Sequence, residues 1–469
     1  MATLSDLQPG SEAERENRRM GVAMGLPGTG AGRVGFGKRA GKQYDEFRPY
    51  NVARVVIWTG FALVLAVAPL LFTSGLGITI LSQMGIAIIA CLSYNMLLGQ
   101  GGMLSFGHAL YTGLGTYVAI HALNAATRGQ LPIPVSLLPL VGGLGGMGIA
   151  VLFGYVTTKK AGTPFAMITL GLGELVFAMS LMFSEFFGGE AGISANRVVG
   201  EPFFGITFGP PTQVYYLIAI YTFLCVAAMY AFTRTPLGRI LNAVRDNPER
   251  VEFIGYDTQR VRYLVFIVAG FFAGISGGLG ALNFEIATAE VVGPARSGGY
   301  LLFTFLGGAT FFFGPVIGGI LMVLAFVLFS EFTKAWLLYL GLIFMFMVMY
   351  APGGIASLIM MNLRIAAFGR LREVWVGYLA LAVTALLVLT GAAAMIEMVY
   401  HLQLDVVMGD QVPFLGLRLD TTSVDSWFGA LFVMLTGLGM FEVARRHFLR
   451  QWGEIQEFIE KEVKRRETL

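Results

Sequence analysis

The side chains of this chain that could take part in chemistry stand inside long apolar runs, and the clearest of them is an acid. Glu174 lies within LGLGELV, with no Lys or Arg close to it in sequence. A carboxylate in a membrane-spanning segment is costly and usually faces a bundle interior or a water-filled cavity. Two interpretations stay open: Glu174 meets a cationic group of a solute in a pathway, or it is a neutral or hydrogen-bonded acid between helices.

A second group of polar residues surrounds a glycine-rich interruption, GQGG, from Gly99 to Gly102. Asn95, Ser105 and His108 lie on either side of it. Backbone groups that a break frees inside a membrane must be bonded within the protein or face a wet cavity. These side chains therefore either line a pathway or cap the freed backbone groups, and Thr169 faces the same choice. One histidine alone does not make a metal site.

The polar sequence GRILNAVRDNPERVEFIGYD lies between two apolar runs and predicts two short amphipathic helices at an angle. Asn247 can cap the second helix, Pro248 suits its first turn, and Gly255 is a suitable C-terminal stop. The expected apolar stripes consist of Ile240, Leu241, Val244, Val251 and Ile254. Such a pair either lies in the lipid headgroup region, held by its arginines, or docks onto a cytoplasmic partner.

The elements that position these residues are expected to be membrane-spanning helices. Hydrophobic residues make up 56% of the chain, charged residues 13%, and the mean hydropathy is +0.70. Soluble domains carry about 25% charged residues, and the apolar runs here have the length that crosses a bilayer as a helix. The fold class is therefore an all-α polytopic membrane protein. Cys91 and Cys225 both lie in apolar runs and are expected to be small buried hydrophobes.

Twelve apolar spans are predicted. They cover residues 55–72, 77–97, 108–125, 133–156, 164–183, 213–232, 262–282, 299–312, 314–331, 336–351, 374–398 and 427–443. If the spans alternate in direction, all but five of the 32 Lys and Arg residues fall in one set of loops. The excess of positive charge places that set, both termini and the polar helix pair on the cytoplasmic side.

Two neighbouring pairs of spans meet at Gly or Pro, after residue 97 and at Phe313-Gly314-Pro315, which predicts broken or re-entrant helices. The 62 glycines favour close helix packing, as in GGLGGMG from Gly142 to Gly148. The sequence GRVGFGK approaches a P-loop but has Arg39 where Ser or Thr is required, and no strand and helix are expected around it. The chain is therefore expected to carry no ATPase site.

Four sequences, in order along residues 55–360, resemble segments of one transporter family. They are NMLLGQGGMLSFGHALYTGLGTYVAI (95–120), TPFAMITLGLGELV with FFGGEAGI (163–176 and 186–193), GRILNAVRDNPERVEFIGYD (238–257) and LGGATFFFGPVIGGIL (306–321). The family is that of the permease subunits of ABC importers for branched-chain amino acids. The second and fourth sequences, with the length, favour its LivM-like branch over the LivH-like one.

The resemblance implies a heteromeric importer: this chain, a second LivH-like permease, two cytoplasmic ATPase subunits and a periplasmic solute-binding protein. The ATPase subunits would bind ATP and Mg²⁺, this chain would hold no cofactor or metal, and its surroundings would be membrane lipid and no nucleic acid. The polar helix pair resembles the family's coupling helices. The coupling residues that this implies are Gly238, Arg239, Ala243, Arg245, Asn247 and Gly255. The pathway candidates are Asn95, Ser105, His108, Thr169 and Glu174.

The expected organisation has four parts. They are a flexible basic cytoplasmic tail (1–50), a permease core of about ten spans (51–362, coupling region 234–260), two added spans (363–443) and a charged cytoplasmic helix (444–469). The expected solute is a branched-chain amino acid, with urea, short amides or aromatic acids as alternatives. A secondary transporter would need a coupling-ion site, for which Glu174 is the candidate. A channel would explain the broken helices but not the cytoplasmic helix pair.

Overall fold

The computed structural model describes residues 52–198, 207–404, 411–414 and 417–468, and most of these are helical. The predicted tail 1–50, with its GRVGFGK sequence, lies outside the described residues. The chain divides into a short unit, Met1–Thr59, and a large unit, Gly60–Leu469. Of the short unit, the structure describes only the beginning of the first helix.

The helices follow the apolar runs. The first part of the chain forms α1 (Val52–Leu71), α2 (Gly75–Gly101), α3 (Ala109–Thr127), α4 (Leu138–Thr157), α5 (Thr163–Met182), α6 (Ser184–Phe187) and α7 (Pro211–Arg234). The middle forms α8 (Pro236–Asp246), α9 (Pro248–Phe253), α10 (Thr258–Phe284), α11 (Pro294–Gly307), α12 (Gly314–Val323), α13 (Ser330–Phe332), α14 (Trp336–Tyr350) and α15 (Gly354–Ala367). The last part forms α16 (Leu371–Leu404) and α17 (Val424–Thr468).

The all-α polytopic class is confirmed. Within the described ranges, nine helices are long and apolar enough to cross a membrane, or ten if the bent pair α14–α15 is one span. The bend between α14 and α15 is 49° and falls at Ala351-Pro352-Gly353, a break that the sequence analysis did not predict. The expected total of twelve full spans is higher than this, because two of the predicted spans differ from membrane-crossing helices.

The predicted spans at 108–125 and 299–312 are the two that differ. The first is α3, whose 19 residues are mostly buried among other helices, so its Gly, Thr and Tyr residues face protein rather than lipid. The second is α11, which has 14 residues and is therefore about 21 Å long, short of the roughly 30 Å hydrocarbon core. It begins five residues earlier than predicted, at Pro294, and ends at Gly307 because Gly308 has a φ of +112°.

Helices α3, α4 and α10 form a tightly packed centre, and glycine makes that packing possible. Gly277 on α10 lies against the backbone carbonyl of Thr112 on α3, and Gly274 lies against the carbonyl of Gly142 on α4. No side chain fits at these contacts without displacing backbone. The prediction that the glycines serve close packing is confirmed here.

Helix α10 runs between two differently built ends of the bundle. Helices α8 and α9 precede it, and we call that end the coupling end. At its other end, β2 (Ile286–Ala287) pairs antiparallel with β1 (Ile193–Ser194), and we call this the hairpin end. Arg197 fastens the hairpin end: its Nε donates to the carbonyl of Phe208 at 2.7 Å, and its Nη1 lies 3.5 Å from the Glu285 carboxylate.

The C-terminal region forms a second structure built largely on itself. Helices α16 and α17 pack along each other, and β3 (Gln411–Phe414) pairs with β4 (Leu417–Asp420) between them. The two added helices agree with the two added spans of the prediction. The charged segment 444–469 is not a separate helix, however, because α17 continues through it to Thr468 without interruption.

Candidate functional site

Helix α8 is held against the bundle by a capped start and a buried apolar face. The Thr235 hydroxyl accepts a hydrogen bond from the backbone N–H of Gly238 at 3.2 Å, which caps the helix. Leu241 and Val244 are buried, as the spacing predicts. A Cβ at Gly238 would collide with the carbonyl of Phe232, so glycine permits the sharp entry from α7.

The joint between α8 and α9 has the geometry that the sequence predicts. Asn247 Oδ1 accepts from the backbone N–H of Arg250 at 3.0 Å, and Pro248 is the first residue of α9. Gly255 has a φ of +92°, the left-handed conformation that terminates a helix, and its N–H donates to the carbonyl of Glu252 at 2.9 Å. Local sequence is sufficient to specify this joint.

The end of α9 departs from the prediction at one residue. Val251 is buried, but Ile254 is 71% exposed and the neighbouring Phe253 is 89% exposed. Helix α9 ends at Phe253, so Ile254 no longer follows the helical spacing that would have turned it toward Val251. Phe253, Ile254 and Tyr256 form an exposed apolar cluster, which we call the α9 tip.

Arg245 connects α8 to the break between α2 and α3. Its Nη1 donates to the backbone carbonyl of Gly99, and its Nε donates to Asp246 at 3.0 Å. The Arg245 side chain also fills the space beside Gly102, where a Cβ would meet the Arg245 Cγ at 2.8 Å. A displacement of α8 therefore acts directly on the backbone of the break.

The remaining predicted coupling residues face outward. Arg239 and Ala243 are exposed on the side of α8 that faces away from the buried Leu241 and Val244. With the α9 tip they form one exposed surface at the coupling end, which we call the coupling surface. It combines charge with accessible apolar area, as a docking surface requires.

Two hydroxyl groups satisfy the backbone that the α2–α3 break sets free. Thr169 Oγ1 accepts from the backbone N–H of Phe106 at 3.2 Å, so Thr169 takes the capping role that the sequence left open. The backbone N–H of Ala109 donates to Ser297 Oγ at 2.9 Å. The sequence analysis missed Ser297, since no local signal links it to a partner 188 residues away.

Asn95, Ser105 and His108 are buried at the break but do not cap it. His108 Nε2 lies 2.9 Å from the Ser93 hydroxyl. Asn95 Oδ1, Ser105 Oγ and His108 Nδ1 have no hydrogen-bond partner among the described residues. Buried polar atoms are nearly always bonded, so these three atoms favour the pathway interpretation over the capping one.

Aromatic rings enclose His108 within the bundle. Its ring centroid lies 5.2 Å from that of Tyr94, 6.1 Å from that of Tyr111 and 6.2 Å from that of Tyr300. The described part of the chain holds no group of three or more His, Cys, Asp or Glu residues that could bind a metal ion. His108 therefore belongs to a polar and aromatic cluster.

A second break lies beside the first one. Helix α11 ends at Gly307 and α12 begins at Gly314. The carbonyl of Ala309, between them, occupies the position that a Cβ at Gly99 would take, and Gly308 packs against Gly353. The first break therefore contacts both α8 and the second break.

Glu174 lies apart from this cluster. It is exposed on α5, beside the exposed Leu170 and Leu175, and does not face the interior of this chain's own bundle. Thr169, on the same helix, is buried and faces the break. The structure thus places four of the five pathway candidates together and the fifth on an outer face.

An all-helical membrane bundle with two adjacent helix breaks, one of which contacts a short helix pair, fits a transport subunit. The sequence model of one family, described as the branched-chain amino acid transport system / permease component, matches residues 76–353. The match covers more than half of the chain, and the chain belongs to this family. It is a permease of the ABC transporter class and a multi-pass membrane protein.

Curated relatives include permeases for different solutes. The chain is 28% identical to the high-affinity branched-chain amino acid transport system permease protein LivM of Escherichia coli, over 62% of this chain and 73% of LivM. It is 27% identical to the fructose import permease protein FrcC of Rhizobium meliloti, over 34% and 45% of the two chains. It is 26% identical to the D-allose transport system permease protein AlsC of E. coli, over 62% and 89%. No solved structure gives a significant match.

Proposed function

We propose that this chain is the LivM-like permease subunit of a heteromeric inner-membrane importer that moves branched-chain amino acids into the cytoplasm. Its partners are a second, LivH-like permease, two ATPase subunits and a periplasmic solute-binding protein. The ATPase subunits bind ATP and Mg²⁺, and this chain performs no covalent chemistry. The family membership and the match to LivM support the proposal.

The proposed orientation places the coupling end in the cytoplasm and the hairpin end outside. The distribution of Lys and Arg supports it, because the coupling region 234–260 is rich in arginine. Both termini are then cytoplasmic: the tail 1–50 precedes the permease core 51–362, and the charged end of α17 projects from the added segment 363–443.

The single observation that carries the mechanism is the hydrogen bond from Arg245 to the carbonyl of Gly99. Closure of the ATPase pair on ATP pushes the coupling surface. Since Leu241 packs beside Gly101 and Arg245 fills the space beside Gly102, the push reaches the α2–α3 break without an intervening flexible segment. The break then rearranges, which changes access to the polar atoms beside it.

The proposed pathway runs past two groups of residues. Asn95, Ser105, His108 and Thr169 surround the break. Glu174 lies on the exposed face of α5, which in the complex faces the second permease, because a carboxylate facing lipid would be costly.

The relatives favour a second candidate solute class. FrcC and AlsC are permeases for fructose and D-allose, and AlsC matches as much of this chain as LivM does. Uptake of labelled leucine in the presence of excess D-allose, measured in vesicles that carry the whole complex, distinguishes the two candidate solute classes. Inhibition by D-allose, and none by valine, would favour the sugar.

Arg245→Glu tests the coupling mechanism. A carboxylate facing the Gly99 carbonyl repels it instead of binding it, so we expect ATP-driven leucine uptake to be lost. Membrane insertion and recovery of the ATPase subunits with the tagged chain should persist, since Leu241 and Val244 still hold α8. The measurement is uptake by right-side-out or reconstituted vesicles that contain ATP, together with a pull-down from mild detergent.

Arg260→Glu is the matched control. Arg260 is 84% exposed and pairs with Asp257 across 3.0 Å at the start of α10, a surface pair worth about 0–1 kcal/mol. Uptake should be nearly unchanged in this variant. Normal uptake by Arg245→Glu would refute the coupling mechanism. A pull-down of the unchanged chain that recovers no ATPase subunits would refute the importer itself.

A further inference from the structure

A cavity of about 90 Å³ lies inside this single chain, between α2, α3, α10, α11 and α12. It is distinct from the α2–α3 break and from the exposed face of α5. Phe284 and Ile286, both partly exposed, line the part that reaches the hairpin end. The polar side chains that line it are Gln83, Thr112, Thr116, Ser276, Arg296 and Tyr300.

Arg296 gives this cavity its charge. Among the described residues that line the cavity, Arg296 is the only basic one, and none is acidic. No described residue forms a hydrogen bond or an ion pair with its guanidinium. A partly buried cation without a counter-ion costs several kcal/mol, so a site that keeps one is suited to a ligand that brings the negative charge.

The hydroxyl groups of the cavity are arranged to accept rather than to donate. Thr116 Oγ1 donates to the carbonyls of Thr112 and Gly277, both at 3.0 Å, and Ser276 Oγ donates to the carbonyl of Ile86 at 2.9 Å. Their protons are therefore committed to backbone and their lone pairs are not. The guanidinium of Arg296, the amide of Gln83 and the hydroxyl of Tyr300 remain as donors.

We propose that the cavity is a subsite for the head group of an α-amino acid, in which Arg296 binds the carboxylate. The oxygens of Thr116 and Ser276 accept hydrogen bonds from the ammonium group. The inference rests on the proposed import of amino acids and deepens it, because it gives the permease its own selectivity for a charged solute.

The dimensions and charge of the cavity favour this ligand over the neutral solutes. About 90 Å³ is three times the volume share of one water molecule in the liquid, roughly 30 Å³, and below the 300–1,000 Å³ of a typical ligand pocket. It accommodates a head group while the side chain extends toward Phe284. A sugar or urea can accept hydrogen bonds from the guanidinium but brings no negative charge to neutralise it, which is unfavourable in a partly buried site.

The cavity also leads toward the break. The ring centroid of Tyr300, part of its lining, lies 6.2 Å from that of His108, which is buried at the α2–α3 break. The subsite therefore stands between the hairpin end and the polar cluster that α8 controls.

Thiol protection tests the subsite without requiring transport. Gly280 lines the cavity, and a Cβ there meets no atom within 4 Å, so Gly280→Cys places a thiol in open space. The native Cys91 and Cys225 are buried. Alkylation of the new thiol by N-ethylmaleimide is followed by mass spectrometry in membranes that contain the full complex, with L-leucine or L-leucinamide added.

We expect leucine to slow alkylation and leucinamide, which lacks the carboxylate, to have no effect. Adding Arg296→Gln should raise the leucine concentration for half-protection about 10- to 100-fold, the loss expected for a charged hydrogen bond, and Arg296→Lys should restore part of it. Gly75→Cys is the matched control: it stands at the start of α2, outside the cavity, with no atom near its Cβ. Its alkylation should not respond to leucine.

Leucine uptake by the same membranes separates the two proposals. Uptake without protection, or equal protection by leucinamide, overturns the subsite and leaves the importer intact. Protection that survives Arg296→Gln unchanged also overturns it. Protection by leucine without any uptake supports the subsite and overturns the importer.

Discussion

At the scale of residues, the coupling end depends on glycines that leave room for one arginine. Gly99 is enclosed on three sides: Arg245 binds its carbonyl, and the Asn95 Oδ1 and the Ala309 carbonyl occupy the space of a Cβ. The break is thus in contact with α8, with a buried polar side chain and with the second break at one point. A small movement of Arg245 changes all three contacts together.

The close contact between α3 and α10 gives a stability prediction. Gly277→Ala would force its Cβ into the Thr112 carbonyl, and backbone cannot yield as a side chain does. Overpacking of this kind costs about 1–3 kcal/mol, so the midpoint of thermal unfolding should fall by several degrees. A thiol-reactive dye provides the measurement, because Cys91 and Cys225 become accessible only when the bundle opens.

Gly280→Ala is the control, three residues further along the same helix. A Cβ there meets no atom within 4 Å, so the unfolding midpoint should stay the same or rise slightly. Equal losses of stability in the two variants would contradict the packing argument and would point to a general need for glycine in α10.

Individual residues were predictable from the sequence where their partners are local. Asn247 and Gly255 act within a few residues of their own positions, so spacing alone identified their roles. Ser297 caps a helix 188 residues away, and the proposed role of Arg296 depends on a cavity formed by five helices. Such roles depend on which distant helices meet, which a single sequence does not specify.

At the scale of elements, α8 and α9 are two short helices, and the N-cap of α9 fixes the angle between them. Helix α9 has only six residues, so it cannot be stable without its cap and its packing. Asn247→Ala removes the side-chain acceptor for the Arg250 N–H, at a cost of about 0.5–2 kcal/mol. We expect ATP-driven uptake to fall several-fold while thermal unfolding of the bundle is unchanged.

Asn247→Asp is the conservative counterpart of this variant. Aspartate caps helices as well as asparagine does, so uptake should return close to the original level. If Ala and Asp had the same effect, the amide itself would matter, for example in contact with the ATPase, and the cap would not be the cause.

For the long helices, sequence patterns predict the position of each helix but not whether it crosses the membrane. Apolar runs located each helix, because burial in lipid or protein requires them. They did not distinguish α3 and α11 from full spans, since a helix surrounded by protein can be polar or short. The bend at Ala351-Pro352-Gly353 was missed because the predicted span ended at residue 351, so α15 was not expected to follow it.

At the scale of the whole molecule, the α16–α17 hairpin stands apart from the family core. The family match ends at residue 353, whereas α15 continues to Ala367 and the hairpin begins at Leu371. The polar contacts between hairpin and core include the Glu397 carboxylate, which accepts hydrogen bonds from Thr333 and, at 3.3 Å, from Tyr339. The Tyr378 hydroxyl also donates to Asn362 Oδ1 on α15 at 2.9 Å. Most of the packing of α16 is against α17.

A chain that ends at Gly369 should therefore retain the functions of the permease. It keeps every residue of the coupling surface, both helix breaks and the cavity of Arg296. We expect it to insert, to recover the ATPase subunits in a pull-down and to take up leucine within about twofold of the full chain, since few core contacts are lost. The loss of stability should be confined to the surroundings of Thr333 and Tyr339 and to the end of α15, where Ile365 packs against α17.

A chain that ends at Tyr350 is the matched comparison. It lacks Gly353, Gly354 and Ala356, which fill the space around Gly308 in the second break. Since that break meets the first one at Gly99, we expect the shorter chain to lose uptake even if it inserts. If the chain ending at Gly369 were equally inactive, the hairpin would be part of the transport machinery, and Glu397 would be the residue through which it acts on the core.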